Sequence, residues 1–454
     1  MRRGLAVFIL CLVQFVDVLG VTSTTTAIPS ILDGLNAPES AAGLIVTVYA
    51  MFFGGLLVLG SRLGDRHGHR RMLLIGVVMF SLVSVLGATS VDIVQLLAAR
   101  SLQGAAAAFS VPSALRLLLN VSGDERSRRS ALALWSASGA AAGAAGFLVG
   151  GVLAQVWGWP ALFWVNMPIG IILAVGILAV VPVLAPDKRG QRLDVVGAAL
   201  LTICTMSVVA GGSLAETPNL RLAGAGLVLL GSLLGAGFYF QQRRGADPLI
   251  PREAATSSNL RAGTVISFVN TATTSSITVL ATLVLQKQLG ATPVQAGLAL
   301  ISFSLAVIVG SSISKPLADR LPARRLAGVG LLIIAMGSAF LVLSYGTWWG
   351  IVTGAAISGV GLGISSVAGT GIGTSVPAYL EGSASGILNT SAQLGTAVGV
   401  AALVLVASTL TFGPIQGTAV AWTFVVVLAL ATSIWISRMR SSNAAFPGTT
   451  SNSG

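Results

Sequence analysis

Long apolar runs, separated by short polar stretches, fill most of the chain. Each run has about 17 or more residues, enough for a helix to cross a hydrocarbon core of about 30 Å. Backbone N–H and C=O groups cannot face lipid unpaired, so these runs must be helical. The pattern predicts an all-α polytopic membrane protein with fourteen spans: Leu5–Leu32, Ala42–Leu59, Met72–Ala88, Val94–Leu119, Ala131–Val156, Ala161–Leu184, Val195–Leu214, Leu222–Phe240, Ala262–Leu285, Val294–Ile313, Leu326–Ser344, Trp348–Val376, Ser383–Leu410 and Thr418–Ile436.

Charged side chains are rare and lie almost entirely in the predicted loops. The 454-residue chain is 54% hydrophobic and 9% charged, with a net charge of +12. Twenty-two of the 26 Lys and Arg residues fall on one side of the spans, and only Arg221 and Lys287 on the other. This asymmetry predicts cytoplasmic termini and explains the positive charge without a nucleic-acid partner. Cys11 and Cys204 lie in apolar runs and predict neither a disulfide nor a metal site.

A short basic sequence occurs twice. Residues 61–71 read SRLGDRHGHRR, and residues 314–325 read SKPLADRLPARR. Each copy joins the second and third helices of a half, if the chain is read as six helices, two inserted helices and six more. Repeated halves around a central pathway are typical of secondary transporters. The predicted domains are a first bundle at 1–184, an inserted pair with linkers at 185–258, a second bundle at 259–437 and a disordered cytoplasmic tail at 438–454. The apolar run that ends near Leu32 is too long for a signal peptide, so we expect an uncleaved first helix.

Asp17 is the only carboxylate inside a long apolar run. An ionisable group at this depth is costly and is by default a functional-site hypothesis. Arg100 lies in the fourth predicted span at a similar depth, counted at 1.5 Å per residue from the opposite boundary. If the two helices face each other, a substrate that displaces Arg100 or wets the site would change the protonation of Asp17. The alternative is a structural acid that stays paired to Arg100.

Other polar side chains can share faces of the predicted helices. Gln14, Thr24 and Thr25 can lie on a broad face with Asp17. The repeat makes the first and ninth helices equivalent, so both are expected to line a central cavity. Serine and threonine in membrane helices can instead serve packing alone. The candidate substrate-binding residues on these faces are Gln14, Thr24, Thr25, Asn270, Thr274, Asn389 and Gln393.

Four motifs together resemble the major facilitator superfamily. Gly60–Arg71 resembles its loop signature, Arg100–Gly104 the fourth-helix motif of its drug:proton antiporters, and Gly146–Gly151 their fifth-helix motif. Trp157–Gly170 is typical of the fourteen-helix branch. The resemblance implies two six-helix bundles with an inserted pair, and proton-driven export of small amphipathic or lipophilic compounds such as antibiotics. It implies a location in the bacterial inner membrane and no cofactor beyond the proton gradient, and it adds Gln103 to the candidate substrate-binding residues. We expect a monomer, although the sequence does not determine the oligomeric state.

The sequence departs from this family pattern at four places. Pro29 would put the usual first-helix acid at position 20, whereas Asp17 stands three residues earlier, almost one helical turn away. Thr25 replaces a usual Asn, Phe147 replaces a Pro, and Ala392 replaces an Arg. These changes concern the coupling details and leave the expected fold unchanged.

Two groups are candidates for gating. Glycines at 139, 143, 146 and 150 give small-xxx-small spacing, which predicts close helix contact that either gates transport or serves packing alone. The repeated loop clusters predict a cytoplasmic latch, or alternatively a set of solvated cations that signals topology. His67 and His69 lack acidic or Cys partners and predict no metal site. The candidate gating and latch residues are Asp65, Arg66, Arg70, Arg71, Asp319, Arg320, Gly143, Gly146 and Gly150.

Several function classes do not fit the sequence. A Walker-type phosphate loop is absent from it, which argues against ATP-driven transport by this chain. Both histidines lie in one loop, leaving no credible Ser/His/Asp arrangement, so we do not expect an enzyme. The favoured hypothesis is a proton-coupled exporter of small molecules. The alternatives are an importer or uniporter of a small metabolite on the same fold, and a non-transport membrane sensor or scaffold.

Overall fold

The computed structural model describes residues 2–39, 41–183, 194–214, 219, 221–244, 253, 256–377, 380–410 and 416–439. Within these residues the chain forms long helices and no strand. They are α1 Arg2–Gly34, α2 Ala41–His67, α3 His69–Ala88, α4 Ile93–Val121, α5 Glu125–Trp157, α6 Ala161–Val180, α7 Val195–Leu214, α8 Arg221–Arg244, α9 Ser258–Gln288, α10 Pro293–Ala318, α11 Ala323–Leu343, α12 Trp348–Gly373, α13 Glu381–Thr409 and α14 Gly417–Arg438.

The predicted all-α polytopic class is confirmed. Thirteen of these helices are long and apolar enough to cross a membrane, and α7 carries a shorter apolar segment, Ala199–Gly211. The sixth span is interrupted at Val165, and α9 ends in a π-helical turn, Val284–Gln288. The start of the predicted insertion, 185–193, and the predicted tail from 440 lie outside the described residues.

Capping residues set several helix ends. Asp92 accepts a hydrogen bond from the backbone N–H of Gln95 at 2.8 Å and so begins α4. Asp124 begins α5 in the same way, and its hydrogen bond from the Ser127 backbone holds the pKa of the Asp124 carboxyl below its ordinary value. Gly68, at φ 93°, joins α2 to α3 through a single residue, a backbone conformation that favours glycine.

The two six-helix bundles share one core at one end and have separate cores at the other. We call the side where α1 begins and α14 ends the terminal face, and the other side the opposite face. Near the opposite face, one apolar cluster joins Ile28 of α1 to Leu280 of α9. Near the terminal face, Leu10 belongs to a cluster of the first bundle and Ile266 to a cluster of the second. The bundles are therefore held together at the opposite face and diverge toward the terminal face.

The sequence repeat extends to the packing of the helices. Gly104 of α4 lies so close to the backbone of Tyr49 in α2 that a Cβ would overlap the Tyr49 carbonyl oxygen. Gly359 of α12 meets the carbonyl oxygen of Phe303 in α10 in the same way. Small residues allow such close helix approach. Tyr49 and Phe303 therefore occupy equivalent places in the two bundles.

The inserted pair lies beside α2 and α13. Thr202 of α7 packs against Gly55 of α2. Val209 shares an apolar cluster with Met51 of α2 and Ala397 of α13. Helix α8 packs on α7. The pair therefore covers one of the two lines along which the bundles meet.

Candidate functional site

A cavity of about 320 Å³ lies between the bundles at the depth of Asp17. Its volume is in the range of small-ligand sites. The first bundle contributes aromatic rings, those of Tyr49, Phe53 and Phe147. The second bundle contributes the ring of Phe303 and a series of hydroxyl groups from Thr271, Thr274, Ser275, Thr278, Ser304 and Thr396. The cavity is thus mostly apolar, with a hydroxyl-rich side and a single carboxyl group.

Tyr49 stands between the two buried charges of the first bundle. Its hydroxyl donates a hydrogen bond to Oδ1 of Asp17. The guanidinium carbon of Arg100 lies 4.4 Å from the centre of the Tyr49 ring, which is cation–π geometry. The expected direct pair of Asp17 and Arg100 is not formed in this conformation. Instead, Asp17 contacts the hydroxyl group of Tyr49, and Arg100 contacts the face of its ring.

Arg100 anchors a chain of polar groups inside the first bundle. Its Nε donates to the Ile45 carbonyl oxygen at 3.2 Å, and its Nη1 donates to Oε1 of Gln103 at 3.0 Å. Gln103 in turn donates to Oγ of Ser84 at 2.7 Å, and Asn166 donates to the same oxygen at 3.3 Å. Arg100 is only 2% exposed, and buried charges need such partners. Arg100 and Gln103 therefore lie behind the cavity wall.

Three of the predicted substrate-binding residues line the cavity. They are Thr25 of α1, Thr274 of α9 and Gln393 of α13. The hydroxyl groups of Thr25 and Thr274 donate to carbonyl oxygens of their own helices, at 3.0 and 2.7 Å. Each hydroxyl oxygen keeps lone pairs with which to accept a hydrogen bond.

The other predicted substrate-binding residues lie outside the cavity walls. Thr24 is buried, and its hydroxyl bonds the Gly20 carbonyl oxygen at 2.7 Å. Asn270 is buried beside Ser366, at 3.5 Å. Gln14 lies about one turn nearer the terminal face than Asp17, against Gly139. Asn389 lies one turn nearer that face than Gln393 and is exposed. The helix turns Thr24 away from the cavity, whereas Gln14 and Asn389 share the faces of Asp17 and Gln393 but lie one turn nearer the terminal face.

The glycines of α5 face two different partners. Gly143 borders the cavity and faces Ser304 of α10 in the second bundle. Gly146 and Gly150 instead pack against α1 within the first bundle, where a Cβ would overlap Thr22 and the backbone of Ser23. Of the three glycines that are candidates for gating, one therefore lies at the contact between the bundles and two lie inside the first bundle.

Contacts between the bundles lie in the half toward the opposite face. Gly151 of α5 meets Pro293 of α10. Thr47 of α2 donates to the Ala397 carbonyl oxygen of α13 at 3.2 Å. At the end of α9, Gln286 donates to the Thr26 carbonyl oxygen at 2.7 Å, and Lys287 pairs with Asp33 of α1. These contacts separate the cavity from the opposite face.

The repeated loop clusters make contacts within their own bundles. Asp65 bonds Nε2 of His69 at 2.9 Å, and Arg70 donates to the Leu178 carbonyl oxygen at 2.7 Å. Arg66, Arg71, Asp319 and Arg320 are exposed. The contacts of Asp65 and Arg70 thus stay within the first bundle. The latch stays a prediction about a conformation in which the terminal face is closed.

Tyr49 is the residue that sequence reasoning missed. A tyrosine hydroxyl inside an apolar span needs a hydrogen-bond partner, and this chain has only four tyrosines. That signal, applied to the second span, could have placed Tyr49 beside the lone acid. The hydroxyl residues of α9 and α13 that line the cavity, such as Ser275 and Thr396, gave no comparable signal because hydroxyl residues also serve packing.

Comparison with known proteins agrees with this geometry. The family model described as Major Facilitator Superfamily matches residues 10–254 and 263–452. The chain belongs to the Major Facilitator Superfamily. Two superfamily relatives are the cephamycin export protein CmcT of Amycolatopsis lactamdurans and a probable actinorhodin transporter of Streptomyces coelicolor. The first is 32% identical over 90% of this chain and 86% of its own length. The second is 33% identical over 91% of this chain and 73% of its own length.

A solved structure supports the superfamily fold. It is that of a POT family transporter in complex with a thioalcohol-conjugated peptide, with a TM-score of 0.69 at 15% sequence identity. The match covers 96% of this chain and 95% of that protein. At this identity the likeness concerns the fold alone. The predicted Major Facilitator Superfamily fold, two six-helix bundles with inserted helices, is confirmed.

Proposed function

We propose that this chain is a proton-coupled exporter of small amphipathic or lipophilic compounds. The observation that carries the proposal is the position of Asp17, at the wall of the central cavity and in contact with Tyr49. An ionisable group inside the membrane is expensive and marks ion or substrate pathways. A carboxyl group that shares its cavity with a substrate can couple proton binding to substrate binding.

The cavity supports the substrate class. Its apolar and aromatic sides suit lipophilic compounds, and the hydroxyl groups of the second bundle offer hydrogen bonds to an oxygen-bearing edge. The names of the two relatives refer to export of cephamycin and transport of actinorhodin, both small molecules. Antibiotics are therefore the class of substrate that we propose for this exporter.

The proposed mechanism is alternating access. The excess of loop cations on the terminal face supports a cytoplasmic location for that face. The structure then corresponds to a state whose cavity faces inward, since the contacts between bundles lie near the opposite face. Closing the terminal face and opening the other would carry substrate outward, while protons entering from outside reach Asp17. The energy source is the proton gradient, with neither ATP nor a cofactor.

The loop clusters would hold the alternative conformation. When the terminal face closes, Asp65 and its repeat partner Asp319 would come near the other bundle. Either could then meet a helix N-terminus or an arginine of the facing loop, where a carboxylate is stabilised. In this proposal Arg66, Arg70, Arg71 and Arg320 are the nearby cations of the latch.

Drug susceptibility and accumulation in an efflux-deficient bacterial host test the proposal. Expression of the chain should lower the accumulation of a fluorescent amphipathic dye, and a protonophore should restore it, because export draws on the proton gradient. Raised accumulation would indicate an importer. Accumulation that the chain leaves unchanged for a panel of neutral and cationic compounds would contradict the export proposal.

A further inference from the structure

A second cavity, of about 30 Å³, lies inside the first bundle on the other side of Asp17. Residues of α1, α3, α4 and α6 line it, whereas the central cavity lies between the bundles. Asp17 belongs to the walls of both. A space of this size holds about one water molecule, provided that two or more polar groups face it. Besides Asp17, the polar residues of its lining are Ser81, Ser110 and Asn166.

We propose that this cavity binds a water molecule that solvates Asp17 from the side away from the substrate. The proposal rests on the proposed coupling of Asp17 to protons. A substrate that fills the central cavity removes water from one side of the carboxyl group. An ionised carboxylate without solvent or donors is very costly. A water in the inner cavity keeps the ionised form accessible while substrate is bound.

The hydrogen-bonding groups around this space fit a water molecule. Ser81 donates to the Val77 carbonyl oxygen at 2.8 Å, and Ser110 donates to that of Ala106 at 3.2 Å, so both hydroxyl oxygens can still accept. Asn166 donates one N–H to Ser84 at 3.3 Å and keeps its second N–H. Asp17 receives the Tyr49 hydroxyl on Oδ1, which leaves acceptor capacity for a water.

The charged surroundings of Asp17 are simple. Tyr49 of α2 contacts its carboxyl group, and Arg100 of α4 lies on the far side of the Tyr49 ring. The described residues of α3, α5, α6, α9, α10 and α13 add no further titratable side chain to the lining of either cavity. A change of hydration in the inner cavity should therefore act on Asp17 without an intermediary.

One serine of the polar lining is specific to the first bundle. Gly76 of α3 packs against Ser110 of α4, and Gly330 of α11 packs against Ser365 of α12 in the same way. Five residues after Gly76 stands Ser81, whereas five residues after Gly330 stands Ala335. The repeat keeps a serine, Ser365, at the place of Ser110 but has Ala335 at the place of Ser81, so helix packing alone does not explain Ser81.

The test combines infrared difference spectroscopy with transport measurements on the full chain in proteoliposomes. The Asp17→Asn variant assigns the carboxyl band of Asp17, and water labelled with heavy oxygen assigns the band of a bound water. The main variant is Asn166→Leu, which removes a polar group and fills the space. The double variant Ser81→Ala with Ser110→Ala removes two polar groups without adding volume, which protects the test against misfolding. Ser365→Ala is the matched control in the second bundle.

We expect both inner-cavity variants to lose the water band and to shift the carboxyl band of Asp17. The pH midpoint of substrate-loaded transport should rise by about one unit, because a carboxylate that loses one hydrogen-bond donor is less stable. Substrate affinity at low pH should stay within about twofold. Ser365→Ala should change none of these quantities.

Two results separate the hydration site from the proposed function. A water band and a carboxyl band that stay unchanged in both inner-cavity variants would overturn the hydration site, whatever the transport rate. The second result has three parts: the wild-type chain shows the water band, the Asn166→Leu variant lacks it, and the wild-type chain moves no substrate in a pH gradient. This result would support the hydration site and refute the proton-coupled function.

Discussion

Beside the central cavity, Tyr49 and Arg100 of the first bundle are ionisable, and the residues at their places in the second bundle cannot ionise. Tyr49 corresponds to Phe303, because the backbone carbonyl oxygen of each residue lies against a glycine in the fourth helix of its own bundle. Arg100 is the eighth residue after the cap Asp92, and the eighth residue after the corresponding cap, Thr347, is the buried Ala355. The third helices keep a buried serine in both bundles, Ser84 and Ser338, each bonded to its own helix.

The comparison separates packing from chemistry. The glycine contacts recur in both bundles because small residues at fixed spacing are what close helix approach requires. The charges are not needed for packing, since Phe303 and Ala355 fill their places in the second bundle with apolar groups. Tyr49 and Arg100 are therefore additions to a fold that packs without their ionisable groups.

The largest effect should come from removing the lone acid. Asp17→Asn keeps the size of the side chain and a hydrogen-bond acceptor for Tyr49, so the chain should insert and bind substrate. It cannot change charge, and we expect transport driven by an imposed pH gradient to be lost in proteoliposomes. Asp92→Asn is the matched control, because asparagine also caps helices and should leave transport unchanged. Undiminished pumping by Asp17→Asn would exclude this residue as the coupling site.

The next largest effect should come from making the fourth helix of the first bundle resemble that of the second. Arg100→Ala introduces the residue that Ala355 supplies in α12. It removes the cation over the Tyr49 ring and leaves the Gln103 carbonyl without its donor. A nearby cation favours the ionised form of a carboxyl group by about 10- to 1,000-fold, so without it the release of a proton from Asp17 is disfavoured and driven transport should fall by about a hundredfold. Initial transport rates against imposed pH gradients measure this loss.

The control for Arg100→Ala is Arg116→Ala, on the same helix. Arg116 is exposed, and its substitution should change transport by less than about twofold. If Arg100→Ala alters only the amount of protein made, and not the rate per molecule, Arg100 is a folding residue and the comparison of the two fourth helices carries no functional meaning.

A smaller effect should come from exchanging the two equivalent aromatic residues. Tyr49→Phe removes one hydrogen bond to the Asp17 carboxyl and keeps the ring beneath Arg100. A hydrogen bond to a charged group contributes about 1.5–3 kcal/mol, so driven transport should fall by about tenfold or more. The reciprocal change, Phe303→Tyr, adds a hydroxyl to the other side of the cavity and should affect substrate affinity rather than pH dependence. Equal pH profiles for wild type and Tyr49→Phe would contradict the role assigned to the hydroxyl.

The sequence allowed the fold to be predicted because apolar runs and loop charges follow from the bilayer itself. It also singled out Asp17, since a carboxyl group in such a run is conspicuous. The need of a buried hydroxyl for a partner could have marked Tyr49 as a candidate, but the geometry of its contact with Asp17 depends on the crossing of α1 and α2. The direct pair of Asp17 and Arg100 was expected from depth alone, and a ring between them is visible only when both helices are packed.

The same limit applies to the cavity walls. Thr24 and Thr25 are neighbours on α1, yet Thr25 lines the cavity and Thr24 does not. Successive residues of a helix point about 100° apart, so the choice depends on the rotation of the helix about its axis. The repeat in the sequence predicted two similar bundles. It did not show that residues at equivalent places, such as Tyr49 and Phe303, differ in chemistry.

The smallest effect concerns a pair that the comparison itself predicts to be exchangeable. Asp33 ends α1 and Lys287 ends α9, at equivalent places, and the two side chains pair across the opposite face. Both are exposed enough for the pair to contribute about 0.2–1 kcal/mol. Asp33→Lys or Lys287→Asp alone places like charges together and should favour separation of the opposite face by up to about fivefold.

The double variant Asp33→Lys with Lys287→Asp should restore the wild-type distribution, because it swaps the charges between two equivalent positions. Distances between spin labels at the exposed positions Glu39 and Leu289 measure the separation of the opposite face. The effect of the single variants should shrink in high salt, since exposed charges are screened. If the double variant resembles the single ones, the two positions are not equivalent in their surroundings. The pair would then depend on contacts of one bundle alone, and the comparison of the bundles would fail at their ends.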